Sequence, residues 1–269
     1  MTSATRPDST RRPERIRHTP KFRQLEVLRV ERITPHIVSV DFRGEDLHDF
    51  VSASFDDHVK FMLPATPDGE LTLPVLGPEG PKFPEGARPV MRDYTPRRFD
   101  TQGREITIEF ALHGDGPIAQ WATQAKPGQK VGIGGPRGST VIPVDYDWHL
   151  LIGDETALPA ISRRLEELPT SVQAIVIVET GDAADQRALA SAANVKVQWL
   201  VQQEASGLVA AVRALQLPAG EGFAWAAGES ATITAVREVL IEEQGLDKHQ
   251  VKASAYWKQG EKGHHGKIE

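Results

Sequence analysis

The chain has 269 residues, about 39% apolar and 25% charged, a composition normal for a globular protein with room for two domains of ordinary size. Its formal charge is −6, so the molecule as a whole offers no electrostatic footprint for nucleic acid. It contains no cysteine, which excludes a disulfide framework, a thiol nucleophile, a thiolate zinc site and an ordinary iron–sulfur cluster. If electrons move here, an organic cofactor must carry them.

Residues 1–18 hold Arg, Pro, Ser and Thr with almost no apolar side chains and read as a disordered tail. Arg11-Arg12 resembles the start of an export signal, but no apolar segment follows it, and no apolar run reaches the roughly 18 residues a membrane helix needs. The expected compartment is the cytoplasm. From Phe22 short alternating segments begin: Leu25 and Val27, then Val38, Val40 and Phe42, then Val59, Phe61 and Leu63. Pro- and Gly-rich stretches separate them, and Ile106–Phe110 is the clearest strand. About six strands, with a helix only near Pro117–Gln124, predict a small antiparallel barrel spanning 19–143.

Between two of these strands lies Met91-Arg92-Asp93-Tyr94-Thr95-Pro96-Arg97-Arg98. An extended backbone is expected to turn Arg92, Tyr94 and Thr95 to one face. A planar cation, an aromatic ring and a small hydroxyl match three parts of a flavin nucleotide: its diphosphate, its ring plane and that ring's polar edge. The plainer reading is an edge strand with a solvated Arg and a packed Tyr.

His113-Gly114-Asp115-Gly116-Pro117 ends the clearest strand and opens the short helix, whose unpaired amides suit a phosphate; an ordinary Gly-rich turn is the alternative. Gly132-Ile133-Gly134-Gly135-Pro136-Arg137-Gly138 resembles a dinucleotide fingerprint but carries Arg137 where the third glycine belongs, and no helix follows. It reads as a turn closing the barrel, with Arg137 a candidate neighbour of phosphate.

After Asp147 strands and helices alternate, predicting a parallel αβ sheet over 144–260. Strands are expected at His149–Ile152, Ala174–Val178, Val195–Leu200, Phe223–Ala227 and Val251–Tyr256. Helices are expected at Ala157–Leu168, Asp182–Ala190, Leu208–Leu215 and Ser230–Glu243. Such sheets bind ligands beyond the carboxyl ends of their strands, where Asp154, Glu155, Thr156, Glu179, Gly228, Glu229 and Ser230 fall. Thr156 and Ser230 are placed to cap the helices that follow. Exposed loop carboxylates are common, so the acidic residues divide evenly between solvation and binding. Tyr256-Trp257-Lys258-Gln259-Gly260 ends the last strand, and residues 261–269 read as a flexible tail. Its His264-His265 pair lacks a third ligand fixed beside it, so no metal site is expected.

Taken in order, the RDYTP, HGDGP, GPRG, GDETALPA, WAAGE and YWKQG segments resemble the siderophore-interacting proteins, flavin-dependent ferric-siderophore reductases. The likeness runs from about Thr19 to about Gly260, and the plan also resembles the wider ferredoxin-reductase class. The resemblance implies a flavin-binding barrel followed by a nicotinamide-binding-like αβ domain, with FAD as cofactor and NADH or NADPH as co-substrate. It assigns Arg92, His113, Gly116 and Pro117 to the diphosphate side, Tyr94 and Thr95 to the ring, and Thr156 and Trp257 to the ring from the second domain. Asp154, Glu179, Gly228 and Glu229 become nicotinamide candidates; the acidic Glu179 leans towards NADH.

Where the family's usual Arg follows the Trp, this chain has Lys258, which keeps the charge and loses the bidentate fork. Lys258, Arg97 and Arg98, with Lys262 behind them, are the candidates to hold an anionic ferric chelate. The same flavin residues would serve a flavin reductase with another acceptor. A carrier that binds the chelate without chemistry is the third reading.

Overall fold

The computed structural model describes residues 11–66, 69–78, 80–84, 89–112, 116–202, 207–261 and 266–268. The first half holds β1 (Glu14–Arg17), β2 (Phe22–Thr34), β3 (Ile37–Arg43), β4 (Val59–Leu63), β5 (Val75–Gly77), β6 (Gly80–Lys82), β7 (Val90–Tyr94), β8 (Pro96–Asp100) and β9 (Glu105–Ala111). The helix α1 (Pro117–Thr123) precedes β10 (Lys130–Gly134) and β11 (Gly138–Val141).

Seven of these strands form one antiparallel sheet in the order β7-β4-β10-β2-β3-β9-β8. Its two edges, β7 and β8, are consecutive in the chain with only Thr95 between them, so the sheet has to curl until edge approaches edge. The seventh strand beyond the expected six is β8. Pro96, Arg97, Arg98 and Asp100 give it no apolar alternation, and Pro96 is tolerated because it opens an edge strand. Inside the curl, Leu25, Val27, Val40, Phe42, Phe61, Phe110 and Ile133 form the core, into which α1 buries Ile118 and Ala122.

The second half holds β12 (Trp148–Asp154), α2 (Leu158–Glu167), β13 (Gln173–Thr180), β14 (Asn194–Val201), α3 (Gly207–Ala214), β15 (Gly222–Glu229), α4 (Ser230–Glu238), β16 (Val251–Trp257) and β17 (Gly266–Ile268). The sheet order is β14-β13-β12-β15-β16-β17, parallel except for β17. Buried cores lie on both faces: Leu158, Ile161 and Leu165 of α2 on one, Leu208 and Val212 of α3 with Ile233 and Val236 of α4 on the other. No described helix is long and apolar enough to cross a membrane.

Three local expectations change. Glu14–Arg17, inside the expected tail, pairs with β11, and Arg11 meets Asp145, Asp147 and Glu221 within 3.7 Å. Gly266–Ile268, inside the expected C-terminal tail, pairs with β16. The helix expected at Asp182–Ala190 is a single 3₁₀ turn, Ala183–Asp185. Asp185 accepts from Thr34 Oγ1 at 2.6 Å and His36 N at 2.9 Å, and Arg187 pairs with Glu109 at 2.5 Å. These bonds to the barrel half hold the segment away from the helix its composition favours.

The two halves share a core. Ile37, Phe55 and Ile142 pack in the same cluster as α2 and Trp225, with Phe55 and Trp225 ring centroids 5.4 Å apart. From α2, Arg163 reaches Pro96 O at 2.9 Å and Ser52 Oγ at 3.0 Å, while Arg164 reaches Ile142 O at 2.9 Å and Pro143 O at 2.6 Å. Asp56 enters from the barrel half to accept from Trp225 Nε1 at 2.8 Å and pair with Lys252 at 2.6 Å. Burial alone would raise the Asp56 carboxyl; Lys252, Trp225 and Ser54 outweigh it and hold it below its usual range.

Candidate functional site

Where the curled sheet meets the carboxyl ends of the parallel strands, a cavity of about 620 Å³ opens, within the range of small-molecule and cofactor sites. β7 supplies Arg92 and Tyr94 at alternate positions on its wall. Arg92 donates one N–H to its neighbour's carbonyl, Met91 O, at 2.6 Å. The Tyr94 ring lies 4.7 Å from Phe110 and 5.8 Å from Phe61, centroid to centroid, and it lines the cavity as well as packing on those rings. Burial raises its phenol well above the usual range.

Thr95 departs from the expected alternation. It occupies the one-residue joint between β7 and β8, lines the cavity there, and hydrogen-bonds the Tyr256 hydroxyl of the other half. Gly116 and Pro117 open α1 on the same wall, with no side chain among the described residues capping its amides. A Cβ added at Gly116 would meet no atom within 4 Å, so the space beside that turn is clear.

Across the cavity stand Glu155, Thr156, Pro159, Tyr256, Trp257 and Lys258. Two of them, Thr156 and Trp257, are held by Asp154, which is only 7% exposed. Asp154 accepts from Thr156 N at 2.9 Å, Thr156 Oγ1 at 2.5 Å, Glu229 N at 3.0 Å and Trp257 Nε1 at 2.8 Å. The expected cap is therefore reversed: Asp154 caps the turn, and Thr156 donates to it. Likewise Glu229, not Ser230, caps α4, accepting from Thr232 N at 2.9 Å.

Gly228 has φ of 152°, and a Cβ there would fall 2.5 Å from Asp154 Oδ2, so this glycine lets β15 and β12 converge. Glu179 sits at the end of β13, its carboxyl raised by burial and by Asp154. Asp154, Glu179, Gly228 and Glu229 are not among the cavity's lining residues.

The expected basic floor divides. Arg97 is buried and forms a fork with Glu166 of α2 at 2.7 and 2.9 Å, with Glu109 3.4 Å away; Arg98 meets the same Glu166 at 3.0 Å. Both arginines tie the barrel half to α2, and neither is among the residues lining the cavity. Arg137 is not on the lining either; its carbonyl accepts from His18 N at 3.0 Å. Lys258 does line the cavity, paired with Glu261. His113, Lys262, His264 and His265 lie outside the described residues. Among the described residues no group of three His, Asp or Glu is placed to hold a metal.

Sequence reasoning gave no site role to Lys60, Asp93 or Tyr256, all on the lining, and left Glu155 as one loop carboxylate among several. Alternation within Val59–Leu63 already turned Lys60 away from the barrel core; its 2.7 Å pair with Asp93 needs the β4–β7 register to be known.

These walls fit a flavin nucleotide: a guanidinium and a helix start on one side, both without a further side-chain partner among the described residues, aromatic rings on both, and a clear turn at Gly116. Comparison with known proteins points the same way. A family model described as "Siderophore-interacting FAD-binding domain" matches residues 26–140, and one described as "Siderophore-interacting protein" matches 146–260. The chain is 39% identical to the NADPH-dependent ferric-chelate reductase of Escherichia coli K12, covering 93% of this chain and 98% of that protein. It is 32% identical to the ferric vibriobactin reductase ViuB of Vibrio cholerae, covering 88% and 90%. The crystal structure of a siderophore utilization protein from T. fusca superposes with a TM-score of 0.85 at 37% identity, covering 93% and 98%.

Proposed function

The chain belongs to the siderophore-interacting protein family, and from that premise we propose that it is a flavoprotein that reduces ferric siderophores and releases ferrous iron, with NADH or NADPH as electron donor. The observation that carries this reading is the interdomain cavity, where a cation, aromatic faces and a helix start from one half oppose Thr156, Trp257 and Lys258 from the other. Bound FAD supplies the conversion of a two-electron hydride into single electrons that ferric iron can accept.

The protein's own work is to grip, orient and leave access. Arg92 takes the diphosphate, with Gly116 and Pro117 beside it, and its paired donors suit that anion. Tyr94 supports the ring or ribityl face, Thr95 the ring's polar edge, and Thr156 and Trp257 meet the ring from the αβ half. Asp154 fixes those last two, so its role is positioning. Lys258 attracts the anionic chelate at the mouth. Hard, anionic oxygen ligands bind ferric iron far more strongly than ferrous, so reduction itself releases the metal and no protein ligand is required. A nicotinamide donor suits a cytoplasmic setting.

Arg92→Ala tests the assignment. Wild-type protein should purify yellow and release FAD on denaturation, and the variant should purify colourless. A variant with full flavin occupancy would remove Arg92, and a colourless wild type that takes up no added FAD would remove the reading.

A further inference from the structure

Glu155 is a carboxyl on the cavity wall that neither the flavin grip nor the chelate floor uses. It opens the 3₁₀ turn Glu155–Ala157 between β12 and α2, locked from behind by Asp154. Among the described residues, the charged groups of the elements packed on this turn give it no cation partner. Asp154 ends β12, Glu179 ends β13 and Asp185 follows in the next turn, all acidic. Glu109 of β9 is held by Arg97 and Arg187. Glu229 of β15 is committed to α4. Arg163 and Arg164 of α2 reach Ser52, Pro96, Ile142 and Pro143 instead. Among the described residues no other side chain donates to Glu155.

Burial first, and then the charges of Asp154, Asp185 and Glu179, push the Glu155 carboxyl up to about 7. Near neutral pH such a group both gives and takes a proton readily, which is the property of an acid–base residue.

We propose that Glu155 is the proton-exchanging residue of the reaction, handing a proton to the flavin as hydride arrives and recovering one as electrons leave. This rests on the flavin reading above. In reduction the nicotinamide C–H bond breaks and its hydride is transferred, while the Glu155 O–H bond breaks and its proton follows to the flavin. In reoxidation two electrons pass to two ferric ions, one proton returns to the carboxylate and the other leaves to solvent. The sum is one nicotinamide oxidised, two irons reduced and one proton released.

The test is the flavin's midpoint potential measured against pH by spectroelectrochemistry, alongside rapid-mixing reduction by nicotinamide, in wild type, Glu155→Gln and Glu155→Asp. The wild-type plot should change slope near pH 7 and the Gln plot should not, while Asp, which keeps the acid, retains a change at a displaced pH. Reduction of Glu155→Gln below pH 7 should be about 100-fold slower. Yellow Glu155→Gln protein whose potential and rate follow pH as wild type does would overturn the role of Glu155 and leave the flavin reading intact. Wild type that binds no FAD would overturn both.

Discussion

Trp257 Nε1 donates to Asp154 Oδ2 across 2.8 Å, tying the end of β16 to the loop after β12. Because the same carboxylate accepts from Thr156 and Glu229, three strand ends are held by one buried anion. The cavity's αβ wall is therefore a single hydrogen-bonded unit.

Asp154→Ala should leave those donors unmatched and cost about 3 kcal/mol of stability. Chemical denaturation checks this, together with FAD titration, which should weaken in parallel. Unchanged flavin affinity would mean that Asp154 organises only the fold.

Arg97 separates clamp from binding site. Its removal takes the fork from Glu166, which keeps Arg98, and one of two cations from Glu109, which keeps Arg187, and should cost about 2 kcal/mol. The Michaelis constant for the ferric chelate should stay as it is in the folded fraction of Arg97→Ala. A large rise there would return Arg97 to the substrate site.

Lys258 is the described candidate from the expected basic floor that does line the cavity. Lys258→Glu should raise the Michaelis constant for an anionic ferric chelate more than that for the nicotinamide, because like charge at the mouth repels the chelate. Steady-state kinetics with both substrates decides it, and an unchanged chelate value removes Lys258.

His149 is buried in β12, its ring 5.7 Å from Tyr146, and burial followed by Arg164 lowers its pKa from 6.5 to about 3. Below pH 6.5 the unfolded chain binds a proton there that the folded chain refuses. Stability from this residue is thus full above pH 6.5 and declines as pH falls towards 3, by up to about 2 kcal/mol at pH 5. Denaturation of wild type and His149→Leu across pH 7 to 5 should show wild type losing about 2 kcal/mol relative to the variant as pH falls. Parallel curves would contradict it.

The parts of the fold that could be read in advance were those that local pattern controls. Ile106, Ile108 and Phe110 alternate because β9 has one face in the barrel core, and the αβ rhythm follows from strands buried on both faces. Residues defined by distant partners could not be read that way. Arg97 and Arg98 look like a basic patch until Glu166 on α2 meets them, and Asp182–Ala190 looks helical until Asp185 and Arg187 are drawn to the barrel. Glu155 was visible as a loop carboxylate. What raises its pKa is burial beside Asp154, Asp185 and Glu179, two of which come from a distant part of the chain.

The most direct measurement starts from protein fully reduced under anaerobic conditions and mixed with a ferric siderophore. The yellow oxidised spectrum should return, with about two ferrous ions trapped by a ferrous-specific chelator for each flavin. Protein that stays bleached with the iron still ferric, yet is reoxidised by a different acceptor, would contradict the assignment of ferric siderophore as substrate.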